Sequence, residues 1–65
     1  MDLPNAPIER IIRKAGAERV SKEAVEELKD AVKDLGDEVA SDAVNMADHA
    51  ERNTVKKEDV EMATQ

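Results

Sequence analysis

Residues 22–51 read KEAVEELKDAVKDLGDEVASDAVNMADHAE, and this stretch decides the fold. Apolar residues recur in it every three or four positions, so that at 100° per residue they share one narrow stripe of a helix. The stripe consists of Val25, Leu28, Val32, Leu35, Val39, Ala43, Met46 and Ala50. No proline interrupts the stretch, and Gly36 costs a helix only about 1 kcal/mol. The pattern predicts one helix of roughly 45 Å.

Shorter helices are predicted on both sides of this long one. Pro7 favours a helix start and Gly16 a helix stop, which predicts a first helix over residues 7–15. Ser21 is a suitable N-cap for the long helix. A third short helix is expected over residues 57–64, since apolar side chains again share one side there. The chain is therefore expected to be all-α.

The whole chain, residues 1–65, is expected to be a single small domain. A chain of this length hides only about 60% of its unfolded surface when it folds alone. It contains no aromatic residue, although aromatic side chains bury the most area each. It also contains no cysteine, which excludes disulfides and thiolate metal sites. Oligomerisation is the remaining common means of stabilising such a domain.

The apolar stripe of the long helix is too long for its neighbours to cover. Two helices of two or three turns each cannot bury about 45 Å of stripe. Either the long helix breaks at Gly36 and folds back on itself, or a second copy of the chain lies across it. The short–long–short order with a continuous stripe favours the dimer.

The charge is unevenly distributed along the chain. The net charge is −6, and residues 22–51 alone carry −7. Residues 1–21 carry +1, residues 52–57 carry +3, and residues 58–65 carry −3. Binding to phosphates requires clustered cations, so an acidic total argues against a nucleic-acid partner. The distribution leaves room for a basic surface formed by the two stretches that flank the long helix.

Several other classes of function are disfavoured. No stretch is long and apolar enough for a membrane helix and no signal peptide is evident, so a soluble, intracellular protein is expected. His49 is the single histidine, and no second histidine or cysteine accompanies it as a metal ligand. The acids of the long helix are spread over a solvated face, without a catalytic pair. We expect no enzyme, no metal, no cofactor and no small-molecule substrate.

Two stretches resemble the archaeal histones, the minimal histone-fold proteins. They are LPNAPIERIIRKAGAERVS at 3–21 and SDAVNMADHAERNTVKKEDVEMA at 41–63. Within them, AGAERVS and HAxRxT-x-K-x-EDxE stand at a fixed separation. The resemblance runs without a gap along essentially the whole chain. It implies a histone fold that forms an obligate head-to-tail dimer through crossed long helices.

The resemblance also implies a surface for double-stranded DNA. Arg19 matches an arginine that enters the minor groove, and Thr54 matches the threonine that pairs with it. Lys56 matches a phosphate-contacting lysine, while Arg10 and Arg13 match basic positions near the DNA backbone. A guanidinium in a narrow minor groove responds to potential and shape rather than to base identity. The implied function is an architectural chromatin protein with little sequence specificity, associated with the chromosome in the cytoplasm.

Further residues match structural positions of the family. The resemblance implies that Arg52 and Asp59 form an ion pair that braces the loop before the last helix. It implies that Met46, His49, Asp59 and Met62 join one dimer to another, with His49 reaching an acid across the interface. The partners implied are DNA, a second copy of the chain, and possible further dimers or other histones in a tetramer or filament.

This sequence departs from the family pattern at several positions. Asn53 stands where a DNA-contacting lysine is usual, and Asp37 and Asp48 stand where a basic residue is common. Residues 63–65 end the chain without the basic and aromatic tail that is usual in the family. These departures support an alternative function, in which an acidic histone-fold partner dimerises with other histones and limits their filaments. An acidic helical dimer with no nucleic-acid role is a third reading.

One departure concerns the stacking of DNA turns. Asp30 and Asp34 match positions that pair with charges on the adjacent turn of a protein–DNA superhelix. The opposite positions here are Glu61 and Gln65, which offer like charge or none. We therefore expect a protein that wraps DNA but stacks successive turns poorly.

Overall fold

Three helices in short–long–short order make up the secondary structure of residues 2–65, the part of the chain that the computed structural model describes. They are α1 (Asn5–Lys14), α2 (Lys22–His49) and α3 (Lys57–Ala63). The all-α prediction is therefore confirmed. No helix among these residues is long and apolar enough to cross a membrane.

α1 begins two residues earlier than predicted. Its N-cap is Pro4, with φ −68° and ψ 148°, so Pro7 is the third helical residue rather than the first. This position tolerates proline because the N–H groups of a first turn have no acceptor within the helix. α1 ends at Lys14, one residue before the predicted end, and the backbone turns away at Gly16 with φ 119°.

α2 is continuous through Gly36, so the predicted long helix does not break and fold back. The backbone N–H of Ala24 donates to the Ser21 side-chain hydroxyl at 3.1 Å, which confirms Ser21 as the N-cap. α2 ends at His49, two residues before the predicted end. The helix stops there because Glu51 adopts a left-handed conformation with φ 56°.

α3 has only seven residues, and its start at Lys57 agrees with the prediction. It ends at Ala63, one residue before the predicted end. Glu58 and Asp59 lie in its first turn, where negative charge is favoured by the partial positive charge of a helix N-terminus. At the other end, the hydroxyl of Thr64 donates to the Glu61 backbone carbonyl at 2.9 Å.

The chain divides into two compact units, and the first ends at Lys33. Its buried apolar side chains are Ile8 of α1 and Val25 of α2. The ammonium of Lys29 donates to the side-chain oxygen of Asn5 at 2.9 Å, which ties the first residue of α1 to α2. Lys29 and Asn5 thus make a polar contact between α1 and α2 within this unit.

The second unit, Asp34–Gln65, has an even smaller core. Its buried apolar residues are Ala43 and Ala47, both small, and the buried carboxylate of Asp59 accompanies them. Across residues 2–65, the larger apolar side chains that remain exposed are Ile11, Val32, Leu35, Val44, Val55, Val60 and Met62. The predicted apolar stripe is thus only partly covered in a single chain: Val25 and Ala43 are buried, Leu28, Val39 and Met46 are half-buried, and Val32, Leu35 and Ala50 are exposed.

Candidate nucleic-acid interface

The loop after α1, residues 15–21 (L1), begins with a Schellman turn. The Gly16 N–H donates to the Arg13 carbonyl at 3.0 Å, and the Ala17 N–H donates to the Ile12 carbonyl at 3.5 Å. The φ of 119° at Gly16 is one that other residues rarely adopt. The hydrogen bonds and the glycine together fix the direction in which the chain leaves α1.

A side chain of α1 holds the next part of L1. The Arg13 Nη1 group donates to the Glu18 carbonyl at 2.9 Å. The other side of the same guanidinium donates to Glu9 Oε1, at 3.0 Å from Nη2 and 3.3 Å from Nε. Arg19 follows Glu18 directly and is exposed. The backbone that carries Arg19 is therefore linked to α1 through Arg13.

The loop after α2, residues 50–56 (L2), begins with a second Schellman turn. The Glu51 N–H donates to the Asp48 carbonyl and the Arg52 N–H donates to the Ala47 carbonyl, both at 2.9 Å. Here the left-handed position is occupied by a glutamate instead of a glycine. A residue with a Cβ atom pays roughly 1–2 kcal/mol for that conformation.

The centre of L2 is organised by Arg52 and Asp59. Arg52 Nη2 lies 2.7 Å from Asp59 Oδ1 and Nη1 lies 2.9 Å from Oδ2, which makes a bidentate pair. The Nη1 group also donates to the Thr54 carbonyl at 3.1 Å. The Lys56 N–H donates to Asp59 Oδ2 at 2.8 Å. These bonds fix the backbone of Thr54 and of Lys56, the last residue before α3.

The charges of this pair are strongly coupled. The hydrogen bond from Arg52, followed by the one from the Lys56 backbone, lowers the pKa of Asp59 to about 2. In turn, the hydrogen bond to Asp59 raises the pKa of Arg52 above its ordinary value. Asp59 is only 4% exposed, yet both of its carboxylate oxygens accept hydrogen bonds. The carboxylate is thus ionised, and its hydrogen-bond donors come from the same chain.

The residues predicted to contact DNA divide into two groups. Arg10, Arg19, Thr54 and Lys56 are exposed, and within residues 2–65 their side chains form no hydrogen bond or ion pair. Arg13 differs, because its guanidinium is bonded to Glu9 and to L1. Four of the five predicted contacts therefore have side chains available for a ligand.

Two further polar residues of this region are not among the predicted DNA contacts. Asn53 is exposed in L2, at the position where the resemblance leads one to expect a lysine. Lys57 Nζ lies 3.5 Å from Glu61 Oε1 on the exposed side of α3. Exposed ion pairs of this kind stabilise a protein by at most about 1 kcal/mol. Lys57 is therefore only loosely held.

The residues predicted to join dimers are in different environments. His49 and Met62 are exposed, and Met46 is half-buried. Asp59 has little accessible surface because it is bonded to Arg52 and to the backbone of Lys56. Three of the four predicted side chains thus present surface to a neighbour, while Asp59 has most of its hydrogen-bonding capacity in use.

Metal-ligating side chains and an open groove are two further features of the described residues. No group of three or more His, Cys, Asp or Glu side chains among residues 2–65 is placed to hold a metal ion. In the second unit, a shallow open groove is lined by Leu35, Val39 and Ala63 together with neighbouring polar residues. An open groove with an apolar floor is typical of a surface for another helix.

Sequence reasoning missed the role of Glu9 and the strain at Glu51. The spacing of Glu9 and Arg13, four residues apart on one helix, is a signal that predicts an ion pair. It does not reveal the bond to Glu18, which depends on the path of L1. Nothing in the residue type at position 51 predicts a left-handed conformation.

Comparisons with known proteins agree with this architecture. Residues 1–64 match the family described as "Histone-like transcription factor (CBF/NF-Y) and archaeal histone". The archaeal histone HAN1 of Thermococcus zilligii is 52% identical over 62 residues, which cover 95% of this chain and 92% of that protein. Probable archaeal histone 3 of Methanocaldococcus jannaschii is 47% identical over 62 residues, with the same coverage of both chains.

Proposed function

This chain belongs to the family of histone-like (CBF/NF-Y) transcription factors and archaeal histones, and we propose that it organises double-stranded DNA as a dimeric architectural protein of chromatin. Its three helices are those of the histone fold. Histone-fold proteins of this family are structural DNA-binding proteins and not enzymes. The proposed action is therefore binding and bending of DNA without a chemical reaction, in association with the chromosome.

The observation that carries the proposal is the state of the cationic side chains beside the loops. Arg10, Arg19 and Lys56 are exposed, and no carboxylate among residues 2–65 forms an ion pair with them. The acids that make the chain acidic lie mainly in α2. Phosphate binding depends on such unneutralised cations and releases the counterions that phosphates hold. A chain with net charge −6 thus retains a local surface suited to DNA.

The proposal of a dimer rests on the small core of one chain. Leu35 of the apolar stripe is 63% exposed, and Val44, also on α2, is 45% exposed. Burying each such side chain contributes roughly 1.5–3 kcal/mol. A second copy, with its own α2 crossed over this one, offers a matching apolar surface. The proposed dimer is head to tail.

In the proposed dimer, L1 of one subunit lies beside L2 of its partner. Arg19 of one chain and Thr54 of the other then form one composite site, which two-fold symmetry repeats. Arg19 enters the minor groove, while Lys56 and Arg10 contact phosphates. Contacts of this kind depend on charge and groove shape, so binding discriminates little between sequences.

Larger assemblies are proposed to form through the end of α2 and through α3. Met46, His49 and Met62 present surface there, and a methionine packs well against irregular surfaces. Asp59, also predicted at this contact, shares its carboxylate with the L2 brace. Long and regularly compacted filaments are not expected. The like charges of Asp30, Asp34 and Glu61 oppose the stacking of successive turns.

A second candidate function is favoured by the absence of a cation at Asn53. This exposed L2 position carries no charge, so each subunit has one cation fewer than the family pattern in the loop itself. A chain that binds DNA weakly but still dimerises would pair with other histones and limit their filaments. The same residues of α2 and α3 would then form a heterodimer.

A titration of duplex DNA with the purified protein separates these functions. Fragments of about 60–120 bp would be titrated at low and at physiological salt, and complexes resolved by native electrophoresis. Stepwise, salt-sensitive retardation is expected, because the affinity falls with a slope of about −0.9 per neutralised phosphate. Intact dimers that fail to retard DNA even at low salt would contradict DNA organisation and favour the modulating role.

A further inference from the structure

We propose that Arg13 is a positioning residue, which holds the L1 backbone in place for Arg19 and does not itself bind phosphate. The inference rests on the proposed function, since it concerns how the DNA surface is built. It changes the role of one of the five residues that the sequence assigns to DNA contact. It also assigns a role to Glu9, which had none.

The argument begins with the three hydrogen bonds of the Arg13 guanidinium. Nε and Nη2 both donate to one oxygen of Glu9, at 3.3 and 3.0 Å, and Nη1 donates to the Glu18 carbonyl at 2.9 Å. Glu9 lies one turn earlier on α1, so it orients the planar guanidinium with one edge toward L1. The carbonyl that accepts from Nη1 belongs to the peptide whose nitrogen is that of Arg19.

The second loop is built in the same way. Arg52 uses its guanidinium to join a carboxylate of a helix, Asp59, to a carbonyl of L2, that of Thr54. Arg13 joins Glu9 of α1 to the carbonyl of Glu18 in L1. In L2 the bonded carbonyl belongs to Thr54, which is proposed to contact DNA. In L1 it belongs to Glu18, the residue directly before Arg19, which is also proposed to contact DNA. The repetition indicates a shared role in shaping loops.

Charge supports the same role. A guanidinium that already faces a carboxylate attracts phosphate less than a free one does, since Glu9 cancels its charge locally. Arg10 provides the comparison on the same helix, because within residues 2–65 it has no such partner. Two N–H groups of the guanidinium remain without a partner, but a phosphate there would meet a charge that Glu9 already offsets. A guanidinium that moved away from Glu9 to reach a phosphate would also release the Glu18 carbonyl. The loop that carries Arg19 would then lose its link to α1.

Two variants of Arg13 and a matched variant of Arg10 test this role. Arg13→Lys keeps the charge but removes the planar group that reaches two acceptors at once. Arg13→Gln removes the charge as well. Arg10→Gln removes a cation from the same helix without touching L1. For each protein, the backbone order parameters of Glu18 and Arg19 are measured by ¹⁵N relaxation without DNA, and DNA affinity is measured over a range of salt.

The positioning role predicts a specific combination of results. In Arg13→Lys, the order parameters at Glu18 and Arg19 fall from about 0.85 toward 0.6 or lower. DNA affinity falls roughly five- to tenfold, as expected for a lost hydrogen bond. Arg13→Gln leaves the salt slope unchanged. Arg10→Gln lowers that slope by about two per dimer, because one phosphate contact is lost from each of the two chains, while L1 stays ordered.

The opposite combination overturns the inference. If Arg13→Lys leaves L1 ordered and the affinity unchanged, or if Arg13→Gln lowers the salt slope as much as Arg10→Gln does, then Arg13 is a phosphate ligand. Should Arg13→Gln fail to fold, the Arg13→Lys results decide alone. Should the unmodified protein not bind DNA, the proposed function fails. The order parameters measured without DNA then decide whether Arg13 holds L1.

Discussion

Arg52 and Asp59 form a bidentate ion pair, with Nη2 and Oδ1 separated by 2.7 Å and Nη1 and Oδ2 by 2.9 Å. The pair joins the loop after α2 to the first turn of α3. It also leaves the Asp59 side chain only 6% exposed. The Asp59 carboxylate accepts hydrogen bonds from the Arg52 guanidinium and from the Lys56 backbone N–H. The link between L2 and α3 therefore depends on a single ionised group.

The ion pair predicts a particular response to acid. The pKa of Asp59 is lowered from 3.8 to about 2, so the unfolded chain binds a proton at a higher pH than the folded one. The stabilisation is fully present above about pH 4 and is lost as the pH falls toward 2. At pH 7, Asp59→Asn should lower Tm by several degrees, and the difference from the unmodified protein should shrink between pH 4 and 2. Circular dichroism melts across that range measure it.

Asp37→Asn is a suitable control for that experiment, because it removes an exposed carboxylate of α2 that has no hydrogen bond within residues 2–65. It should leave Tm close to that of the unmodified protein at each pH. A Tm difference for Asp59→Asn that stays constant down to pH 2 would show that the stabilisation does not depend on ionisation.

The left-handed backbone at Glu51 predicts a stabilising substitution. Glycine adopts a φ of 56° without strain from a Cβ atom, so Glu51→Gly should stabilise the fold. The gain should be up to about 1 kcal/mol, because the greater freedom of glycine in the unfolded chain offsets part of the relieved strain. Urea unfolding measures the change. Glu51→Ala removes the same charge but keeps the Cβ atom, and it should give little gain.

The exposed apolar side chains of α2, Val32, Leu35 and Val44, predict that stability depends on protein concentration. An obligate dimer gains Tm as its concentration rises, and sedimentation should show two chains at micromolar concentration. Leu35→Asp should weaken the dimer about a hundredfold or more, since it removes a buried leucine from each chain and adds two charges to the interface. Ser41→Asp introduces the same side chain at an exposed polar position of α2. Equal effects of both substitutions would contradict the proposed interface.

The composite site predicts a loss of affinity that is independent of sequence. Arg19→Ala should weaken binding to unrelated duplexes alike, by about tenfold or more, because a charge-assisted contact is lost in each subunit. Electrophoretic titrations on two duplexes of different base composition measure it. Lys33→Ala removes one exposed cation of α2 outside both loops, and its effect should be much smaller. An unchanged affinity of Arg19→Ala would refute the assignment of this site.

Because the residue at position 53 is uncharged, a lysine introduced there is predicted to raise the affinity for DNA. Asn53→Lys should strengthen DNA binding and steepen the salt slope by about 1.8, the value for one added phosphate contact in each of two subunits. Asn45→Lys adds the same charge on an exposed part of α2, so it separates a local contact from the overall charge. If both variants gain equally, the limitation lies in the net charge of −6 rather than in L2.

The sequence by itself determined the helices and their order. The apolar stripe of α2 repeats over many turns, so its helical period is evident although the stretch contains Gly36. Ser21 and Gly16 mark helix ends because their preferred backbone or side-chain bonds are local. The sequence also shows that the two short helices are too short to cover the stripe, so a single chain cannot bury all of it. The resemblance named the loop residues, although it gave no geometry for them.

The tertiary structure alone decided which side chains are free and which are bonded. Arg10 and Arg13 are both arginines of α1, and only the path of L1 gives Arg13 an acceptor in Glu18. Glu51 stops α2 two residues early, although glutamate is a good helix former. The hydrogen bond of Arg13 and the backbone angle of Glu51 both depend on the path of a loop relative to its helix. The physical reason is that helical periodicity repeats many times along the sequence and can be recognised there, whereas each loop contact occurs once and leaves no repeated pattern.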